Sequence, residues 1–285
     1  MSLLLDIHQA VTEDVCFDGH SFSVLRLDKI HPVTGGNKWF KLQKNLEKYK
    51  QEGYAGILSF GGPFSNHIAA LAAACKQEGI PSVGVIRGEE VQPLNVTLSR
   101  AVRDGMQLRF VPRGEYRLLR NPVYQEMLLQ DFPGYLIIPE GGSNAEGVEG
   151  CGQIAERAGG EITDVMVAVG TGATYAGIRR KLPGHIRLWG IKVLEANQEQ
   201  LVEKFSGHDC DSYLLPEYTF GGYARPSDPL QQFVMLWNRS MPVPIEPIYT
   251  GRLFFAAVDL LKKGFFGENP RLLVIHSGGM QYLGD

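Results

Sequence analysis

Two lysines one helical turn apart follow a glycine pair in Gly35-Gly36-Asn37-Lys38-Trp39-Phe40-Lys41-Leu42. The run opens a helix whose apolar face is Trp39, Leu42, Leu46 and Tyr49, with Lys38 at its start. An amine there lies beside the positive end of the helix dipole, which disfavours its protonated form and suits it to nucleophilic chemistry. Lys41 follows on nearly the same face, so two amines can share one pocket. The spacing is also met by a glycine-initiated helix with solvated lysines.

A second group is Ser59-Phe60-Gly61-Gly62-Pro63-Phe64-Ser65-Asn66-His67, between a buried strand and a helix. Ser65 and Asn66 fall at that helix start, where they can cap free N–H groups or, with those same groups, grip a carboxylate. The run is not G-x-S-x-G, so a hydrolase nucleophile is poorly supported. A third group, Val169-Gly170-Thr171-Gly172-Ala173-Thr174, is a glycine-rich strand-to-helix turn and in physical terms a phosphate cradle. It matches neither G-x-x-x-x-G-K-[ST] nor G-x-G-x-x-G, which argues against an NTPase or a dinucleotide enzyme, and a plain tight turn fits it too. Later come Gly221-Gly222-Tyr223, Pro247-Ile248-Tyr249-Thr250-Gly251-Arg252 and His276-Ser277-Gly278-Gly279.

The elements that must position these groups alternate in type. Short apolar runs at 55–60, 82–86, 108–111, 135–138, 164–169, 186–193 and 272–275 predict buried strands. Between them Ile68, Leu71, Ala72 and Cys75, and again Leu230, Phe233, Val234 and Trp237, keep helical spacing. That alternation predicts parallel sheets covered by helices. Ligands in such sheets collect beyond the carboxyl ends of strands, and Ser65, Thr171 and Ser277 all follow predicted strands. Composition shifts near residues 45–52 and 141–152 predict a small α/β domain over 49–151, inserted into a large cofactor-binding domain of 1–48 and 152–285. Little periodicity marks 206–228, and loops of that length are usually functional or mobile.

With 44% hydrophobic and 21% charged residues in 285, the chain reads as globular rather than disordered, collagenous or coiled. Its 34 glycines exceed the usual share of about 7%. Twenty-eight basic against 31 acidic residues, with no basic block, make nucleic acid an unexpected partner. No apolar window approaches the ~20 residues of a membrane span, and no signal peptide is evident. Cys16, Cys75, Cys151 and Cys210 are scattered, which fits reduced thiols in the cytoplasm. The histidines have no spaced partners, so no metal is expected.

Taken in order, GGNKWFKL, SFGGPFSNH, PEGGSN, VGTGAT, GGYARPS, EPIYTGR and IHSGG resemble the 1-aminocyclopropane-1-carboxylate deaminase and D-cysteine desulfhydrase family over roughly residues 20–280. That family has the tryptophan-synthase-β type of pyridoxal phosphate fold. The resemblance implies two open, twisted, mainly parallel sheets with helices on both faces, a small amino acid as substrate, and a homodimer. Lys38 would form the covalent link to pyridoxal 5'-phosphate, and its freed amine would move protons at the substrate, while the cofactor supplies the electron sink. Gly170, Thr171, Gly172, Ala173 and Thr174 would hold the phosphate, with Lys41 adding charge. Asn66 would bond the ring hydroxyl, and Ser65, Asn66 and His67 would take the substrate carboxylate. Tyr223 and Tyr249 look like the family's active-site tyrosines, Ser65 joins them among the catalytic groups, and Thr250 and Ser277 complete the cofactor contacts.

Three departures bear on the substrate. The family often continues its SN[HQ] motif with Thr-Arg, whereas this chain has Ile68-Ala69, and 285 residues is short for the family. Thr250 stands where the ring-opening deaminases resemble one another in having Glu and desulfhydrase-like members have Thr. A carboxylate beside the pyridine nitrogen keeps it protonated, while a hydroxyl leaves it largely neutral. The resemblance therefore favours a lyase that eliminates across Cα and Cβ of D-cysteine or a similar substrate, releasing pyruvate and ammonia. Opening of the cyclopropane ring to 2-oxobutyrate is the alternative within the class, and a non-catalytic cofactor- or amino-acid-binding relative the alternative outside it.

Overall fold

The computed structural model describes residues 10–31, 34–119, 121–194, 198–207, 213–222 and 227–279. Its strands are β1 (Val11–Phe17), β2 (His20–Arg26), β3 (Gly56–Gly61), β4 (Ser82–Arg87), β5 (Gln107–Val111), β6 (Tyr135–Ile138), β7 (Asp164–Val169), β8 (Arg187–Lys192), β9 (Leu214–Leu215) and β10 (Leu272–His276). Its helices are α1 (Asn37–Glu52), α2 (Asn66–Glu78), α3 (Val96–Arg103), α4 (Arg113–Leu118), α5 (Pro122–Leu129), α6 (Ala145–Gly152), α7 (Ala173–Lys181), α8 (Gln198–Ser206), α9 (Asp228–Ser240) and α10 (Thr250–Lys262). Two sheets result, a larger one in the order β1-β2-β10-β7-β8-β9 and a smaller one in the order β5-β4-β3-β6. Every pairing is parallel except that of β1 with β2.

Both sheets are buried on two faces, as parallel sheets with helical crossovers must be. On β7 the period of two is plain: Val165, Val167 and Val169 enter one core cluster, Met166 and Ala168 the other. On β3, Ile57 faces one cluster and Leu58 and Phe60 the other. Two mainly parallel sheets with helices on both faces agree with the expected fold class. The chain returns to the larger sheet through α6, whose Val148 and Cys151 pack in that sheet's core.

Two features differ from the sequence reading. The hairpin of β1 and β2 was not expected, although Asp18-Gly19 is a strong turn signal; its alternating polar residues lack the apolar run that marks a buried strand. The strand at 108–111 was expected to be buried, but β5 lies at a sheet edge and only Val111 is fully covered. No helix among the described residues is long and apolar enough to cross a membrane.

One helix ties the sheets together. Trp39 and Phe40 of α1 pack in the core of the larger sheet, while its Leu42 and Leu46 pack in that of the smaller. The stripe expected from spacing is thus split between two cores. Burying side chains on both sides fixes the direction in which Lys38 and Lys41 leave the helix.

Candidate active site

The start of α1 is pinned to the end of β10. Asn37 N–H donates to the Ser277 carbonyl at 3.0 Å and Gly36 N–H to the Leu27 carbonyl at 2.7 Å. Gly36 has φ +86°, and a Cβ there would lie 2.1 Å from the Ser277 oxygen, so only glycine lets the two backbones approach. This contact brings Lys38 to the carboxyl end of the larger sheet.

A cavity of about 790 Å³ opens there, and its wall collects residues at or just beyond the carboxyl ends of both sheets. Phe60 of β3, Arg87 of β4, Pro139 after β6, Val169 of β7, Leu194 after β8 and Ser277 after β10 all contribute. The expected convergence of Ser65, Thr171 and Ser277 on one site is what the fold produces. Lys38, Lys41, Asn66, His67, Gly170, Gly172, Thr174 and Tyr249 line the same space.

The polar groups on the larger sheet's side form a connected set. Lys38 Nζ donates to Asn37 Oδ1 at 3.1 Å, and Asn37 Nδ2 donates to Thr174 Oγ1 at 2.9 Å. Lys41 Nζ donates to the Gly141 carbonyl at 2.9 Å and to Thr171 Oγ1 at 3.5 Å, and Ser143 Oγ donates to Thr171 Oγ1 at 2.6 Å. In these bonds both threonine hydroxyls accept, which leaves each O–H proton for a ligand. Asn37 and Ser143 were given no role by the sequence reading. Ser143 lay within the PEGGSN run, whose hydroxyl after two glycines was the available signal.

Desolvation holds the Lys38 amine down to about 7 from an ordinary 10.5, and the like charge of Lys41 adds to the effect. The expected cause was the helix dipole, so the reason for an activated amine differs from the sequence argument. Lys41 is lowered by burial as well.

On the opposite side, Ser65 caps α2 by accepting from Ile68 N–H at 3.3 Å. Ser59 Oγ donates to the Ile138 carbonyl at 2.7 Å, so toward His67 Nε2, 2.9 Å away, it acts as acceptor and that nitrogen carries the proton. His67 is buried and held well below its usual pKa, first by desolvation and then by Lys38 and Lys41. Its side chain is therefore neutral with a bare Nδ1, which has no protein partner. Such a ring accepts rather than donates, so the expected grip of His67 on a carboxylate falls to its backbone N–H.

Three further expectations need restating. Thr250 does not line the cavity: it is fully buried, and its hydroxyl accepts from Glu246 N–H at 2.8 Å and lies 3.2 Å from Glu246 Oε1. Glu246 in turn accepts from Ile248, Tyr249 and Thr250 N–H, so the Thr250 hydroxyl is engaged in a helix cap rather than presented to the cavity. Ala173 turns its side chain into the core, leaving only its backbone for a ligand. Tyr223 lies outside the described residues.

The model of the pyridoxal-phosphate-dependent enzymes matches residues 19–278. The chain belongs to this family. It is 29% identical over 270 residues to a Pyrococcus abyssi (strain GE5 / Orsay) protein named provisionally as a 1-aminocyclopropane-1-carboxylate deaminase, covering 86% of this chain and 80% of that one. It is 28% identical over 286 residues to the D-cysteine desulfhydrase of Salmonella schwarzengrund (strain CVM19633), covering 90% and 86%. The crystal structure of an ACC deaminase homologue superposes with TM-score 0.79 at 25% identity, over 92% of this chain and 86% of that chain.

The residues present fit pyridoxal phosphate, the cofactor of the family. A depressed amine without a carboxylate partner suits a covalent link. The uncommitted hydroxyls of Thr171 and Thr174, the Lys41 ammonium and the N-terminus of α7 suit a phosphate. The buried Asn66 Oδ1 has no protein partner, which marks an amide waiting for a polar ligand.

Proposed function

We propose that the protein eliminates a β-leaving group from a small amino acid, D-cysteine being the simplest compound that tests the reaction, with pyruvate, ammonia and hydrogen sulfide the products. The observation that carries this reading is the chemistry of the cavity wall. Its one carboxylate among the described residues is Glu140, beside the Gly141 carbonyl that takes Lys41, while Ser277 and Tyr249 line it with hydroxyls. A ring nitrogen facing a hydroxyl stays largely unprotonated, and loss of a good leaving group from Cβ needs less of an electron sink than ring opening does.

Pyridoxal phosphate, when bound, supplies the sink that takes up the electron pair left at the substrate Cα. Lys38 would hold it covalently, and Thr171, Thr174, Lys41 and the turn Gly170–Gly172 would hold its phosphate. Lys38 Nζ would accept the proton from Cα, and the burial that holds the amine down to about 7 leaves much of it neutral for that task. Ser65 and the first N–H groups of α2 orient the substrate carboxylate. Tyr249, whose ring packs on Gly170, presents a hydroxyl that can give its proton to the departing thiolate.

The test is a product assay on the loaded protein. Sulfide, pyruvate and ammonia should appear together from D-cysteine, and little 2-oxobutyrate from 1-aminocyclopropane-1-carboxylate. Efficient ring opening with D-cysteine ignored would instead favour the activity after which the Pyrococcus relative is named.

A further inference from the structure

Arg87 closes β4 on the smaller sheet and reaches the cavity that Lys38 enters from the larger one. Its guanidinium lies over the Tyr116 ring, with Cζ 5.8 Å from the centroid. It also packs over Gly62, where a Cβ would stand 3.3 Å from Nη2. The ring and the Gly62 backbone hold the planar group on two sides, three residues before Ser65, yet Arg87 itself stays exposed.

Charge around the cavity is unbalanced. Among the described residues, Lys38, Lys41 and Arg87 line it against the single carboxylate of Glu140. Under the reading above, Lys38 is committed to a covalent link and Lys41 to the phosphate, and the substrate's α-carboxylate goes to Ser65 and the start of α2. Arg87 is then the cation left with no anion. At about 790 Å³ the cavity stands toward the upper end of ligand pockets, about 300–1,000 Å³, as a space that takes both a cofactor and an amino acid must.

We propose that Arg87 is a specificity residue for a second oxyanion carried on the substrate side chain, so that the preferred amino acids bear a carboxylate, sulfonate or phosphate beyond Cβ. A guanidinium presents paired donors to such a group, and its stacking on Tyr116 pre-orders it for that contact. The inference rests on the amino-acid reading of the site but not on which bond is broken.

The experiment is a binding titration of the holoenzyme, read by the cofactor's absorbance, with glutamate against glutamine and aspartate against asparagine in both enantiomeric series. The acid of a pair should bind about tenfold more tightly than its amide. Arg87→Gln should remove that preference, and Arg87→Lys should keep part of it. A wild-type protein that binds acid and amide alike overturns the proposal, as does a preference that survives in Arg87→Gln. So does a loss for alanine in Arg87→Gln as large as the loss for glutamate, which would put the guanidinium at the α-carboxylate. A holoenzyme whose absorbance answers to D-cysteine but to none of these amino acids overturns the proposal alone, and one silent to D-cysteine as well overturns the amino-acid reading of the site itself.

Discussion

On the larger sheet's side of the cavity, polar side chains are tied to one another: Asn37 to Thr174, Ser143 to Thr171, Lys41 to Gly141. On the smaller sheet's side Arg87 and Phe64 are exposed, and the buried ring of His67 keeps an open acceptor. A pre-tied wall costs little reorganisation when a fixed anion such as a phosphate arrives, whereas a looser wall can meet varied side chains. The contrast suits one wall to holding an unchanging cofactor and the other to choosing among substrates.

The largest test of the contrast is Lys38→Ala. Turnover should fall by about 10³-fold or more, because the covalent link and the proton carrier go together. Borohydride trapping followed by peptide mapping should find no cofactor on the chain, while circular dichroism stays native. A trapped adduct on Lys41 in the wild type would break the division of labour between the two amines.

Gly172→Val should follow in size. Gly172 has φ +95°, and a Cβ there would lie 3.0 Å from Val202, so the turn must distort at a cost of about 1–3 kcal/mol. The loss should show as cofactor released on dialysis. Retention equal to wild type would remove the phosphate from this wall.

The pH dependence of cofactor uptake by the apoprotein is a finer probe. With the amine at about 7, its reactive neutral form, and so the uptake rate, should rise with pH and level off above about 7. Because the folded-state value lies below the unfolded one, stability of the apoprotein should also rise between about 7 and 10.5, where only the unfolded chain holds that proton. Lys41→Met removes the neighbouring like charge and should move the uptake midpoint upward. An unmoved midpoint would mean that burial alone sets it.

Smallest is Thr250→Val, which removes a cap hydroxyl and should lower stability by about 1 kcal/mol in a denaturant melt. The bound cofactor's absorbance should not change. A spectral shift would return Thr250 to the cofactor and overturn its place in the cap with Glu246.

The sequence was legible where a local pattern suffices. Seven apolar runs became strands, and the faces of Ile68, Leu71, Ala72 and Cys75 and of Leu230, Val234 and Trp237 were buried, because a parallel sheet leaves unbroken apolar runs and a helix buried on one face leaves a periodic signal. Lys38, Lys41, Ser65, Thr171 and Ser277 could be picked out because each follows glycine or a strand end, where parallel sheets gather ligands. What carries no local signature was decided by packing. Thr250 and Tyr249 are adjacent, yet one hydroxyl caps a helix beside Glu246 and the other residue lines the cavity. The proton on His67 is set by Ser59 and Ile138, the second of them 71 residues further along the chain. The depressed Lys38 amine depends on protein folded around it from both sheets. Arg87 ends an ordinary strand, and only the approach of two sheets puts it on the wall of the cavity that Lys38 also lines. Desolvation, tautomer and charge balance depend on what stands beside a side chain, and in this fold the partner is a hundred or more residues away for Thr171 against Lys41 and for Thr174 against Asn37.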